Sequence, residues 1–550
     1  MLTCLYPSGD ARTGFGLRHF FGKYGLSVKS DPSGHSGVTL KCGGDPDSGF
    51  TIRAAQDHPG DGAPGIPGYL RVSEGKIPLF APPSDSGDDG RILGWWEGGN
   101  GDRFPCITGT GAGISIGFDP FGEIGALLSG RLEPVWKGPD EGLKRGMASL
   151  PVADLLEDLL FRLILAGYGK LRVPLVSLPF WPQGRAFAVC LTHDVDEVKK
   201  TYQWITTPLK LAARGDVRGL YFQGLSLLDR LSGKEPYWAF DDLMSLEDGL
   251  GARSSLFFLH ETARVRPLES SSWRHLGRRY RWDDPKLSSL IRRLSASGWD
   301  VGLHGSFNSY DDLPTLEGEK KSLEKVLGEP VYTTRQHNLN LRIPETWLHH
   351  EGLGLLCDTT LGFNDRIGFR WGTCFPFSPF LPAEGRALNL LELPLVIEDI
   401  ALLRNPRWQE EWVKIAGTVR GCGGVLTLLW HHAVFNPHEY PGWGDAYRQI
   451  LSRAGKENAW IASARDIARW WVARNGARTE CHLEGDRLGI RMIRGALQPV
   501  RIHVPEGMEL KEVLGGSPVA RSPGTIDVQP AGGDRAMEMT IVFSGGYHGS

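Results

Sequence analysis

Through the middle of the chain, short apolar runs alternate with stretches of helical periodicity. The runs lie at 187–191, 254–259, 300–303, 391–396 and 425–430. Helical stretches between them include 287–297, with Leu290, Ile291 and Leu294 on one side, and 316–327. Runs this brief, bounded by glycine and charged residues, predict buried strands. Strands alternating with helices from 187 to 471 predict a parallel β/α barrel. Residues 1–150 have a different texture, rich in Gly, Asp, Pro and Ser, with apolar runs at 38–40, 92–96 and 113–118. They predict a small α+β unit, with turns at 57–67 and 82–90 and a strand end entering a helix over 118–129. Leu155, Leu156, Leu159, Leu160 and Leu163 share one side of a predicted amphipathic helix over 152–166. Residues 171–184, with Pro174, Pro179 and Pro182, predict a linker. Beyond 474, the segments 487–493, 500–504 and 537–543 alternate apolar and polar, which predicts an antiparallel β unit. The expected organisation is an N-terminal α+β unit (1–150), a bridging helix and linker (151–185), the barrel (186–474) and a small C-terminal β unit (475–550).

Composition narrows the function classes. At 550 residues the chain is too long for one core. A net charge of −3 gives no electrostatic case for nucleic acid. No apolar run reaches the length of a membrane span; the nearest, 155–166, is broken by Glu157, Asp158 and Arg162. The eight cysteines form no CxxC pair, and the first residues lack the basic-then-apolar pattern of a signal peptide. Both features lead us to expect reduced thiols and a cytoplasmic location. Nothing in the sequence bears on the oligomeric state.

Polar clusters follow the apolar runs. The first is Thr192-His193-Asp194-Val195-Asp196. In an extended segment, Asp194 and Asp196 point the same way, so one can hold a metal while the other handles a proton. The plain alternative is a polar strand-to-loop turn, where Asp is common. Further clusters are His304-Gly-Ser-Phe-Asn308, Arg335-Gln-His337, Asp358-Thr-Thr360 and Trp430-His431-His432. A lone His after a strand is more often structural than a ligand. Five such clusters at one barrel rim are harder to explain as loop chemistry, because buried ionisable groups need partners or a metal.

These motifs, in this order, make 187–470 resemble the polysaccharide deacetylases of the NodB-homology group, carbohydrate esterase family 4. The resemblance implies a distorted, about seven-stranded β/α barrel that removes N-acetyl groups from amino sugars. It implies a divalent metal, zinc first and Co²⁺, Ni²⁺ or Mn²⁺ as alternatives. It implies Asp194 as catalytic base, Asp196 and His304 as metal ligands, and His431 as general acid. Arg335, or else Arg342, resembles the arginine that braces the base, and Asp358 resembles the fourth motif. The chain departs from the pattern at Asn308, where the family has a second histidine. Asn308 could coordinate through its amide oxygen, a poorer zinc donor than imidazole. His337 is the other candidate, because residues i and i+2 of an extended segment share a side and Arg335 must reach the rim. His432 then points away from His431.

Two other readings stay open. One is an amidohydrolase for a small non-sugar amide, and the other is a carbohydrate-binding barrel without catalysis. The 18 tryptophans suit sugar stacking, with Trp371 and Trp443 as candidate groove residues, although core packing explains most Trp equally well. Asp365 and Arg370 could bind sugar hydroxyls or pair with each other.

Overall fold

A computed structural model describes residues 2–6, 11–31, 38–42, 50–55, 66–86, 90–261, 265, 278–494, 498–531 and 537–544. Most of the turn-rich stretch at 57–67, and 87–89 of the second one, lie outside them.

The middle of the chain forms a mixed α/β unit around a parallel sheet. Its strands are β1 (Phe187–Val195), β2 (Ser255–Leu259), β3 (Asp300–Gly305), β4 (Thr333–Gln336), β5 (Cys357–Asp358), β6 (Leu391–Glu392), β7 (Ile397–Glu398), β8 (Val425–Leu429) and β9 (Ala459–Ser463). The spatial order is β6-β5-β4-β3-β2-β1-β8-β7, with β9 also paired to β1. All these pairings are parallel. The two ends of the order, β6 and β7, are consecutive in the chain and joined by residues 393–396. Of the single run expected at 391–396, only Leu391–Glu392 is strand; 393–396 leads into β7, and the wall is completed there by the chain itself.

β1 is longer than its apolar run, because the strand continues through Thr192, His193 and Asp194, all buried. Alternation sends the polar side chains two ways. His193 points to the helix Phe240–Gly249, where its Nε2 lies 3.0 Å from Glu247 Oε1. Asp194 points to the opposite side, toward β4. The polar strand β4 has no apolar signature, yet all four of its residues are buried. Thr334 Oγ1 donates to the Leu303 carbonyl and Thr333 Oγ1 to Asp300, so their polar groups are satisfied inside the wall.

Before the parallel sheet, nine strands among the described residues, from Leu2–Leu5 to Gly113–Ile116, form one mixed sheet. The helices Ala11–Tyr24 and Pro120–Leu127 cross in close contact. A side chain at Gly16 would meet the Phe121 carbonyl at 2.0 Å, so only glycine fits there. Helix α1 (Val152–Lys170) follows, and Asp154 on it joins three parts of the chain. It accepts from Lys23 Nζ (2.8 Å), from the Cys374 amide (2.8 Å) and from Thr373 Oγ1 (2.9 Å). One apolar core runs continuously from Leu2 to Trp471. The stretch read as a linker is not all linker. Leu175–Ser177 forms a strand that pairs with Val500–His503 in one of two four-stranded sheets built mainly from the C-terminal segment. Leu175 and Val176 are buried there, which gives the strand its reason to form.

Candidate active site

The C-terminal ends of β1, β3 and β4 bring five sequence-predicted residues together: Asp194, Asp196, His304, Arg335 and His337. Arg335 is fully buried. Its Nη1 donates to Asp194 Oδ1 at 2.9 Å, its Nε donates to the Thr359 carbonyl at 3.1 Å, and its guanidinium lies 5.0 Å from the Phe257 ring. Burial alone would favour a neutral Asp194. The nearby His304, Arg335 and His431 outweigh it and hold its pKa below the ordinary carboxylate value. Arg342 is not the brace, since it sits 3.5 Å from Asp311 on the outside.

His304 donates through Nδ1 to the Arg335 carbonyl at 2.8 Å. That bond turns Nε2 toward both carboxylates, 3.4 Å from Asp194 Oδ2 and 3.3 Å from Asp196 Oδ1. Burial opposes charge on His304, but the carboxylates prevail and raise its pKa, so the pocket attracts positive charge. His337 is buried at the end of β4. Its ring centroid lies 5.4 Å from that of His304, and its Nε2 points to Asp196 Oδ2 at 3.7 Å. Its Nδ1 lies 3.3 Å from Glu261 Oε2. The residues after it, Asn338 and Leu339, have left-handed backbone (φ +56° and +52°), a strained conformation that recurs at functional sites.

Neither ring nitrogen of His337 has a hydrogen-bond partner, and neither does Asp196 Oδ1, although all are buried. The Nε2 atoms of His304 and His337 both face Asp196, and the far nitrogens of the two imidazoles are directed at a carbonyl and a carboxylate; this arrangement fits a divalent cation in donor type and direction. The set is not closed. Among the described residues no group of three or more His, Cys, Asp or Glu stands at metal-holding geometry, and Arg278 Nη2 lies 3.2 Å from Asp196 Oδ2. Asn308 is exposed, just before the turn Ser309–Asp311, and shares none of these contacts.

No family model and no curated protein matches the chain. Several solved structures are similar to it. A protein from Mycobacterium smegmatis described as a polysaccharide deacetylase has 18% identity and a TM-score of 0.36, over 56% of this chain and 98% of that one. An allantoinase has 13% identity and a TM-score of 0.35, over 54% and 93%. A polysaccharide deacetylase from Pseudomonas aeruginosa PAO1 has 14% identity and a TM-score of 0.34, over 56% and 96%.

On the other side of Asp194, the end of β8 carries His431. Its Nδ1 lies 2.9 Å from Asp399 Oδ1, and its amide donates to Asp399 Oδ2 at 2.7 Å. Burial would lower its pKa, but Asp399, with Asp196 and Asp194 behind it, raises it to about 10. Asp399 was missing from the sequence reading, as was Glu261. Each follows an apolar strand end, in Ile397-Glu-Asp399 and Leu259-His-Glu261, and that was the available signal. Glu398 is also buried beside His431, and burial chiefly raises its pKa to about 8. His432 faces away as expected, 3.3 Å from the Asp194 carbonyl and 3.1 Å from the Tyr237 carbonyl.

The structure places the remaining expected residues elsewhere. Asp358 is fully buried. It accepts from Trp347 Nε1 (3.1 Å) and the Thr360 amide (3.0 Å) and lies 3.3 Å from His350 Nδ1, so its carboxylate is occupied inside the wall. Trp371 is 1% exposed, donates to Glu133 at 2.8 Å and packs edge-on to Trp347, so it is a core residue and lines no groove. Arg370 forks onto the same Glu133 at 2.9 and 3.0 Å, and Asp365 pairs with Arg366. Trp443 is half-buried at the start of the helix Trp443–Lys456. It packs on Tyr440, and its carbonyl accepts from Trp430.

Proposed function

We propose that this chain is a metal-dependent amide hydrolase that removes the N-acetyl group from an amino sugar or a sugar-containing intermediate. The observation that carries the reading is one carboxylate, Asp194, held ionised by Arg335 between two different sets of groups. On one side lie the unpartnered donors of Asp196 and His337, with His304 Nε2. On the other lies the His431–Asp399 pair.

Asp196, His304 and His337 would hold the ion, and zinc suits two imidazoles and a carboxylate best. Such an ion supplies Lewis-acid activation of water and of the amide carbonyl. The rest is done by the chain's own residues. Asp194 takes the proton of the attacking water, because His304, Arg335 and His431 together keep its carboxylate ionised. His431 carries a proton at the same pH and gives it to the departing amine. Asp399 fixes the ring through Nδ1, which leaves Nε2 as the donating atom. An acid and a base matched to their roles typically contribute about 10²–10⁴-fold each.

The reading of a binding barrel without catalysis leaves the His431–Asp399 pair unexplained, since sugar binding requires no proton donor. The test is acetate release from N-acetylated glucosamine oligomers and from simple N-acetyl amides, with Zn²⁺, Co²⁺ or Mn²⁺ added. Metal-stimulated release from the sugars supports the proposal. Release from the simple amides alone would assign the non-sugar reading, and no release from either class would remove both.

A further inference from the structure

The two helices that follow β1 are inside out. They are α2 (Gln203–Ala213) and α3 (Val217–Leu231). The side chains they bury are polar, Gln203 on α2 and Gln223 and Ser226 on α3. Gln223 and Ser226 close on a buried ion pair between Lys200 and Glu439. Lys200 Nζ lies 2.5 Å from Glu439 Oε1 and donates to Gln223 at 2.7 Å, and Ser226 donates to the same Glu439 oxygen. The opposite faces are apolar and open to solvent. Ile205 and Leu209 on α2 are 68% and 64% exposed, and on α3 Val217, Tyr221, Leu228 and Leu231 are 61–77% exposed. Their spacings, four residues on α2 and four, seven and three on α3, keep each set on one side of its helix. With Leu227, these two helices hold seven of the 14 exposed large apolar side chains among the described residues, so the exposure is concentrated here. A soluble helix ordinarily buries such a stripe.

The charge on this hairpin is net positive, with four basic side chains against Asp216 and Asp229. Lys210, Arg214 and Arg218 are exposed and make no ion pair among the described residues. The two acids have local partners: Asp216 caps the Gly219 amide at 2.7 Å, and Asp229 lies against His438.

We propose that α2 and α3 form a docking face for the surface of an anionic phospholipid bilayer. An apolar stripe flanked by unpaired Lys and Arg is the pattern of a helix lying in the headgroup region, with the apolar side sunk and the bases on lipid phosphates. Charge decides against a second copy of the chain as the occupant. A two-fold contact sets the same patch against itself and would oppose the unpaired bases. The hairpin starts shortly after Asp196 and is tied through Glu439 to the loop after His431. Docking therefore sets the rim that carries the candidate site beside the leaflet. No helix among the described residues is long and apolar enough to cross a membrane.

The test is flotation of the full chain with vesicles of phosphatidylcholine alone and of phosphatidylcholine with about one-third phosphatidylglycerol, at low salt. The chain is expected to float with the anionic vesicles only. Leu209→Ser/Leu228→Ser/Leu231→Ser and Lys210→Glu/Arg214→Glu/Arg218→Glu are each expected to lose binding about tenfold or more. Both should keep the unaltered chain's melting temperature, because every position is exposed. Absence of vesicle binding by the full chain overturns the proposal. So does binding that neither variant weakens, and so does a concentration-dependent dimer that the Leu variant abolishes without any vesicle binding. None of these readouts involves hydrolysis, so failure of the enzymatic reading would leave the docking result intact.

Discussion

Arg335 Nη1 lies 2.9 Å from Asp194 Oδ1, and the remaining position of that carboxylate is set by His304. This pair joins β4 to β1 across the inside of the wall, and each partner is buried. Breaking it leaves a buried charge uncompensated. Arg335→Met should therefore destabilise the chain by about 3–5 kcal/mol in denaturant titration. Asp194 has a depressed pKa, so its contribution to stability is present above its ordinary value and is lost as pH falls through the folded one. The variant should thus lose part of the chain's acid-side pH dependence, and the acid limb of any hydrolysis profile should move to higher pH.

The basic side rests on His431. Its pKa is raised from 6.5 to about 10, so the stabilisation from its pairing is full below pH 6.5 and disappears as pH rises through about 10. Asp399→Asn should bring the imidazole titration, followed by NMR, back toward 6.5. The basic limb of activity should shift down with it. An unchanged titration would show that Asp399 is not what holds the proton.

Metal affinity should separate His337 from Asn308. His337 is buried and directed at Asp196, while Asn308 is exposed. We expect His337→Ala to weaken Zn²⁺ or Co²⁺ binding by well over tenfold in calorimetry, and Asn308→Ala to leave it unchanged. The reverse pattern would assign Asn308 as the ligand.

Trp371→Ala should act on stability and not on substrate. The ring is buried against Trp347 and Phe377 and holds Glu133, so its loss should cost about 3–5 kcal/mol. A raised KM at unchanged melting temperature would restore it to a groove.

Much of this arrangement was legible in the sequence because it follows from period and position. The apolar runs located β1, β2, β3 and β8, and the polar residues just after them supplied Asp194, Asp196, His304 and His431. The i, i+2 relation predicts a shared side for Arg335 and His337; Arg335 faces Asp194 and His337, just past the end of β4, faces Asp196. What the sequence concealed depends on partners distant in the chain. β4 has no apolar run to mark it because its polar side chains are satisfied by distant partners: Thr333 by Asp300, Thr334 by the Leu303 carbonyl and Arg335 by Asp194. Asp358 looked functional because a buried carboxylate after a strand carries the same signal whether it faces a substrate or His350. Asp399 and Glu261 matter through the histidines they face, and no local pattern states that. The apolar stripe of α3 is periodic in the sequence, but only the structure shows that it faces outward.

Asp194→Asn keeps the shape of the side chain and removes the base. Bound zinc is counted per chain in the same preparation in which acetate release from N-acetylated glucosamine oligomers is measured. We expect the unaltered chain to bind one zinc and release acetate, and Asp194→Asn to retain most of the zinc while its rate falls by about 10²-fold or more. Equal release by the two proteins would contradict this.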